Sequence, residues 1–378
     1  MVDLGVSALA LAIFSRTQQH PPAAGEAVSR YGRLLRVART QITQAEIIRC
    51  DEQQIDEFLL TVVLMAWYET TTHQPANQKC MVLPSSLHSW SHHDGALAIL
   101  KAWNDRRQDS DASDIIKHSR RGLLHSALLR DGSLPSWVQD GNRFGELGLD
   151  VGFDNVLVRV VNLRHALKKL ERNTHLETAV VVDLINEAQE LDHSCKIWAT
   201  QIPAAWSFKA HSIPKSWPRK DFYSSVVYEC ATPGYAAVWL QYFAMRMLIN
   251  SMLLGLLALR QVSQVQAHEN TYLQQRQGPT VQLKAMTNNL ISTIPFSLSR
   301  FKCGRAQDSE SRHILTLNVE EISPALALPT IWPLTTAYTL KHVETNQKLW
   351  FGAWIAQLGR VLGDGALQCA GTEEWNHG

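Results

Sequence analysis

The stretch G-Y-A-A-V-W-L-Q-Y-F-A-M-R-M-L-I-N-S-M-L-L-G-L-L-A-L-R-Q, Gly234 to Gln261, decides the fold. Its apolar residues go all the way round a helix, so the helix is buried on every side, in lipid or in a protein core. Gln241, Arg246, Asn250 and Ser251 weigh against lipid, because a charge near the middle of a span is costly. The uncharged remainder from Met247 to Leu259 is also shorter than the roughly 20 residues a span needs. The stretch therefore predicts the central helix of a sizeable protein core, with no membrane. Arg246 and Asn250 lie four apart and share a face. A buried Arg needs acceptors, from another helix or from a ligand.

Only one other stretch is apolar nearly all round, Ile55 to Tyr68, after an N-cap at Asp51 with Gln54 three residues on. The two helices, at 54–68 and 235–259, are predicted to be buried together. Outward from them the helical period recurs. Val28, Tyr31, Leu35, Ala38 and Ile42 form one face, and Arg30, Arg33, Arg36 and Arg39 fall on a solvated one. Val156, Val160, Leu163, Leu167 and Leu170 line up, as do Val181, Leu184, Ala188, Leu191, Cys195 and Trp198 after a Thr174-x-x-Glu177 capping box. Phe351, Ile355, Leu358 and Leu362 end the series, with Gly363 as the C′ residue. Leu134 to Val138 reads as a short helical turn in a long irregular stretch, and His313 to Val319 as a short strand or linker. No stretch alternates as a sheet would. The class is all-α, one large domain over 1–378 of about a dozen helices with two fully buried central ones. A subdivision is possible near the Trp- and Pro-rich connection at 201–220.

The chain has 378 residues, 45% of them apolar and 19% charged, ample for a core. The 36 basic residues against 35 acidic ones exclude the strongly basic footprint of a domain that grips nucleic acid alone. Six cysteines, at 50, 80, 195, 230, 303 and 369, are scattered without a C-x-x-C, which predicts reduced, mostly buried thiols. The apolar N-terminal run follows Asp3 and no Lys or Arg, so it predicts a helix, not a secretion signal.

No phosphate loop, dinucleotide fingerprint, nucleophile elbow or His-Glu-x-x-His is present. His88 and His92, four apart with His93 and Asp94 adjacent, have a spacing that can hold a metal. No third ligand can be named, and histidines on a half-exposed helix explain them. No metal and no cofactor are expected. If the domain binds a small molecule, the pocket candidates are Trp239, Tyr242, Arg246 and Asn250. His92 is the candidate general base if it is a catalyst.

Several stretches in order resemble the fungal-specific transcription factor domain, the helical regulatory region downstream of a zinc binuclear cluster. They are S-A-L-A-L-A-I-F-S-R (7–16), the Tyr31-Gly32-Arg33-Leu34-Leu35 helix and D-E-Q-Q-I-D-E-F-L-L-T-V-V-L-M-A-W-Y-E (51–69). W-S-H-H-D-G-A-L-A-I-L (90–100), I-S-T-I-P-F-S-L (291–298), I-W-P-L-T-T-A (331–337) and the Trp350–Gly363 helix follow. Leu240 and Phe243 depart from the Asn and Arg common in that family's central helix, and the zinc cluster is missing. The resemblance implies a nuclear regulator of one fungal pathway or secondary-metabolite gene cluster, with cytoplasm as the alternative. It implies a homodimer or a DNA-binding partner protein, allows a small-molecule effector, and implies no direct DNA binding by this chain. DNA contact would come from that partner or from a missing N-terminal zinc cluster. The rival is a helical domain recruited as a small-molecule binder or enzyme of the same pathway.

Overall fold

A computed structural model of the chain describes residues 1–42, 50–73, 87–106, 111–172, 177–263, 269–305, 312–317 and 322–371. Among these residues are twelve α-helices and two antiparallel two-stranded sheets, which makes the protein all-α. The chain divides into two compact units, 1–161 with 362–378, and 162–361. The divisions fall inside one helix and near the end of another, and the connection at 201–220 lies within the second unit.

The first unit holds α1 (Val2–Thr17), α2 (Pro21–Gln41), α3 (Glu52–Thr72), α4 (Leu87–Arg106) and α5 (Asp114–Arg130). It also holds the start of α6 (Gly148–Arg172) and the short α12 (Gly365–Gln368). His20 accepts from the Ala23 amide and Pro21 opens α2, so the Pro-Pro pair that stops α1 starts the next helix. Asp51 and Gln54 form the expected capping box of α3. α3 is the hub, packing on α1, α4, α5 and α12. The buried side of α2 is Ala23, Ala27, Leu34 and Ala38, while Val28 is exposed. The face is rotated from the one read in the sequence, because small alanines permit close approach to α1. Gly363, at φ +67°, turns the chain as expected. Arg16 then holds the returning segment through the carbonyls of Thr71 and His73 and the Gln368 side chain, at 3.0–3.1 Å.

The second unit holds the rest of α6, then α7 (Thr178–Thr200), β1 (Lys209–Ser212) and β2 (Val226–Glu229). After them come α8 (Pro233–Ser263), α9 (Glu269–Ser297), β3 (Phe301–Arg305), β4 (Arg312–Thr316), α10 (Pro324–Thr339) and α11 (Thr345–Leu362, through Val361). Here α8 is the hub, packed on α7, α9 and α10. Every residue from Tyr242 to Asn250 is buried. By length and composition α8 could cross a membrane, but 78% of that stretch is buried within the protein. Two indoles pin the Trp- and Pro-rich connection: Trp239 Nε1 donates to Trp206 O at 2.7 Å and Trp350 Nε1 to Lys220 O at 3.0 Å.

α3 centres the first unit and α8 the second, so each has the neighbours of its own unit. All-round apolarity demands neighbours on every side but does not name them. The expected cap of α7 is corrected: the helix starts at Thr178 with Glu177 as an N-cap that makes no side-chain bond, and Thr174 lies outside the described residues.

Candidate functional site

A cavity of about 200 Å³ lies between α3, α4 and α5 in the first unit. α3 contributes Val62, Val63, Ala66, Trp67 and Thr70, α4 brings His92, His93 and Ala96, and α5 adds His118, Ser119 and Gly122. The helical period explains the set: Val62, Val63, Ala66, Trp67 and Thr70 are three or four apart along one stripe of α3. Trp67 is 46% exposed and gives the cavity an aromatic wall that reaches solvent. Ser119, on α5, is buried, and its hydroxyl has no hydrogen-bond partner. An unsatisfied buried hydroxyl costs about 1–3 kcal/mol, so a ligand that satisfies it gains that much.

His92 Nε2 lies 3.0 Å from Glu69 Oε1, a close contact that lacks hydrogen-bond alignment. The same carboxylate oxygen accepts from Tyr31 Oη at 2.7 Å, and Tyr31 stacks on Tyr68 with ring centroids 4.0 Å apart. Asp94 points elsewhere, pairing with Arg130 at 3.0 Å. The His88 side chain lies outside the described residues.

Burial, then the charges of Arg130 and His92, push His93 down to about 4. Burial, then Arg121 and His118, push His125 to about 4 as well. Both imidazoles are neutral at neutral pH. The unfolded chain protonates them near 6.5 and the folded chain only near 4, so the unfolded state binds more protons between those values. Stability is therefore full above about pH 6.5 and falls as pH drops towards 4, by up to roughly 1.4 kcal/mol per pH unit for each histidine. The urea midpoint should decline from pH 7 to pH 5, and His125→Gln should make the decline shallower. Equal midpoints at both pH values would refute the assignment.

Trp239, Tyr242, Arg246 and Asn250 lie in the second unit, away in sequence and unit from His92. Their polar ends meet protein partners. Arg246 Nε and Nη2 grip the two Asp192 oxygens at 2.8 and 3.1 Å. Nη2 also reaches Gln282 at 2.8 Å, and Nη1 donates to Tyr242 Oη at 3.2 Å. Asn250 donates to Asp192 at 2.9 Å and Lys196 pairs with it at 2.7 Å. Trp239 and Tyr242 pack among Trp198, Phe208 and Phe243. The acceptor that the Arg246 face requires thus comes from another helix, α7. Sequence reading missed the cavity residues Trp67, His118 and Ser119, whose signal is only their helical phase.

No family model matches the chain, and no curated protein and no solved structure matches it.

Proposed function

We propose that the chain is the helical regulatory domain of a fungal transcription regulator, as its motif order resembles, and that its first unit senses a small effector in the cavity between α3, α4 and α5. The observation that carries the effector reading is the cavity's lining, which joins three histidines and the buried, unpartnered Ser119 to largely apolar side chains. The lining contains no Lys or Arg, and His93 is neutral at neutral pH. That chemistry suits an uncharged hydroxylated ring. A cavity near 150 Å³ holds benzene, so about eight non-hydrogen atoms fit in one of about 200 Å³. In this reading the chain acts in the nucleus, through a DNA-binding partner or a second copy of itself.

A second reading, a pathway enzyme with His92 as general base, draws on the His92–Glu69 contact beside the same cavity. Deletion of the gene separates the two. Regulation predicts loss of transcripts from one co-regulated gene set. Intact transcripts with a pathway intermediate accumulating would transfer the assignment to the enzyme.

A further inference from the structure

Three side chains from three strands converge in the second unit: His211 of β1, Glu229 of β2 and Cys303 of β3. In the β1–β2 pair, His211 stands opposite Val227 and Lys209 opposite Glu229, so His211 and Glu229 are diagonal neighbours on one face. Cys303 is two residues beyond Phe301 and shares its face. Phe301 packs with Phe222 and Val227 in an apolar cluster, and Cys303 lies against it. His211 Nε2 is 2.9 Å from Glu229 Oε2 and 3.7 Å from Cys303 Sγ, and the three donor atoms all lie within 4.8 Å of one another.

A thiol, an imidazole and a carboxylate also suggest a nucleophile with its base. That chemistry needs both ring nitrogens, one facing the thiol and the other the carboxylate. Here both neighbours meet the same nitrogen, Nε2, so the imidazole cannot relay a proton between them. Donors converging on one point are instead what a metal ion requires. With Zn–N near 2.0–2.1 Å and Zn–S near 2.3 Å, a tetrahedral angle sets N and S about 3.6 Å apart. The observed 3.7 Å matches. The N–O pair must open from 2.9 Å to about 3.3 Å on the same arithmetic, a small side-chain adjustment.

We infer that His211, Glu229 and Cys303 bind one Zn²⁺; among the described residues no fourth protein donor joins them, and water or a small ligand completes the tetrahedron. The mixed N, O and S set suits zinc, whereas magnesium and calcium take oxygen and copper(I) prefers all-soft donors. Three protein ligands with one open position is the pattern of reactive zinc sites. Binding replaces the Cys303 S–H bond by S–Zn and releases the proton to solvent. The apolar floor of Phe222, Val227 and Phe301 limits water access and strengthens the interaction. The sequence hides the site because its members are 18 and 92 residues from His211, far beyond any local spacing motif.

The test is a cobalt(II) titration of the chelator-treated full chain. We expect one equivalent to give a thiolate-to-metal charge-transfer band and the intense d–d bands of four-coordination, both displaced by Zn²⁺. Cys303→Ser should abolish the charge-transfer band, and Cys50→Ser should leave it. His211→Ala and Glu229→Gln should weaken binding beyond the roughly 10–100-fold that losing a supporting partner costs. No band in the wild type, or a band that survives Cys303→Ser, would overturn the assignment. Should a variant fail to fold, the wild type still decides: Zn²⁺ must protect Cys303 from alkylation, located by peptide mass spectrometry, and equal labelling with and without Zn²⁺ would overturn it.

Discussion

Asp192→Ala lowers stability by about 3–5 kcal/mol, because it strands the buried Arg246 charge. Arg246 is 4% exposed and Asp192 7%. The loss removes two bonds from Arg246 and one from Asn250 at once, leaving Arg246 with Gln282, Tyr242 and the Met286 sulfur. At roughly 2–4 °C per kcal/mol for a unit of this size, the melting temperature should fall by about ten degrees. Burial raises the Asp192 carboxyl pKa, but bonds from Arg246 and Lys196, the Arg246 charge and the Asn250 bond outweigh it and hold the group below its ordinary value. Its stabilisation is thus present above about pH 4 and is lost as pH falls through the depressed value. The paired Asp192→Leu, Arg246→Met variant removes both charges together. It should recover most of the loss, since apolar replacement of a buried pair is often neutral or better. A single Asp192→Ala change costing under about 1 kcal/mol would mean that Arg246 is not dependent on this carboxylate.

Arg120→Met should cost a similar 3–5 kcal/mol in the first unit. Arg120 is fully buried and reaches both Asp154 oxygens, at 2.6 and 2.9 Å. It also donates to the backbone carbonyls of Val138 at 2.8 Å and Gln139 at 3.4 Å. Those carbonyls belong to the irregular stretch between α5 and α6, where buried backbone groups have no helical partner. Glu146, 1% exposed, keeps only Arg121 when Arg120 is gone. Gly141 sits so close that an added Cβ would lie 2.3 Å from Asp154 Oδ2, so the site cannot collapse around the missing group. Arg120→Lys should restore only part of the loss, because an ammonium cannot make the two-pronged contact. Unfolding in urea followed by circular dichroism measures both variants, and a midpoint for Arg120→Met equal to wild type would contradict this account.

How much of this was legible beforehand differs by element. Helical period and capping chemistry are local, and they placed α3 with its Asp51 cap, α8, α11 with Gly363, and the turn at Ser136–Val138. Partnership is not local. The sequence announces that Arg246 needs an acceptor but not that Asp192 supplies it, and nothing local marks Arg120 as fully buried. The division into units was illegible because it falls within continuous helical pattern, at 161/162 and 361/362. The spacing of His88 and His92, with His93 adjacent, is legible in the sequence. The cavity that His92 and His93 line depends on the phases of three helices, which no single segment encodes.

Gly122 offers a direct way to test whether this cavity takes an uncharged hydroxylated ring. An added Cβ at Gly122 meets no atom within 4 Å, and a helical Gly→Leu change gains up to about 1 kcal/mol of helix propensity, so Gly122→Leu fills the cavity without harming the fold. The measurement is calorimetric titration of the purified chain with phenol, resorcinol and 4-methylphenol at pH 7.5. The account predicts saturable one-to-one binding of at least one of them, accompanied by a change in Trp67 fluorescence. It also predicts weakening by about tenfold, or 1.4 kcal/mol, in Ser119→Ala and abolition in Gly122→Leu. No saturable binding by any of the three at millimolar concentration, or binding that Gly122→Leu leaves intact, would contradict it.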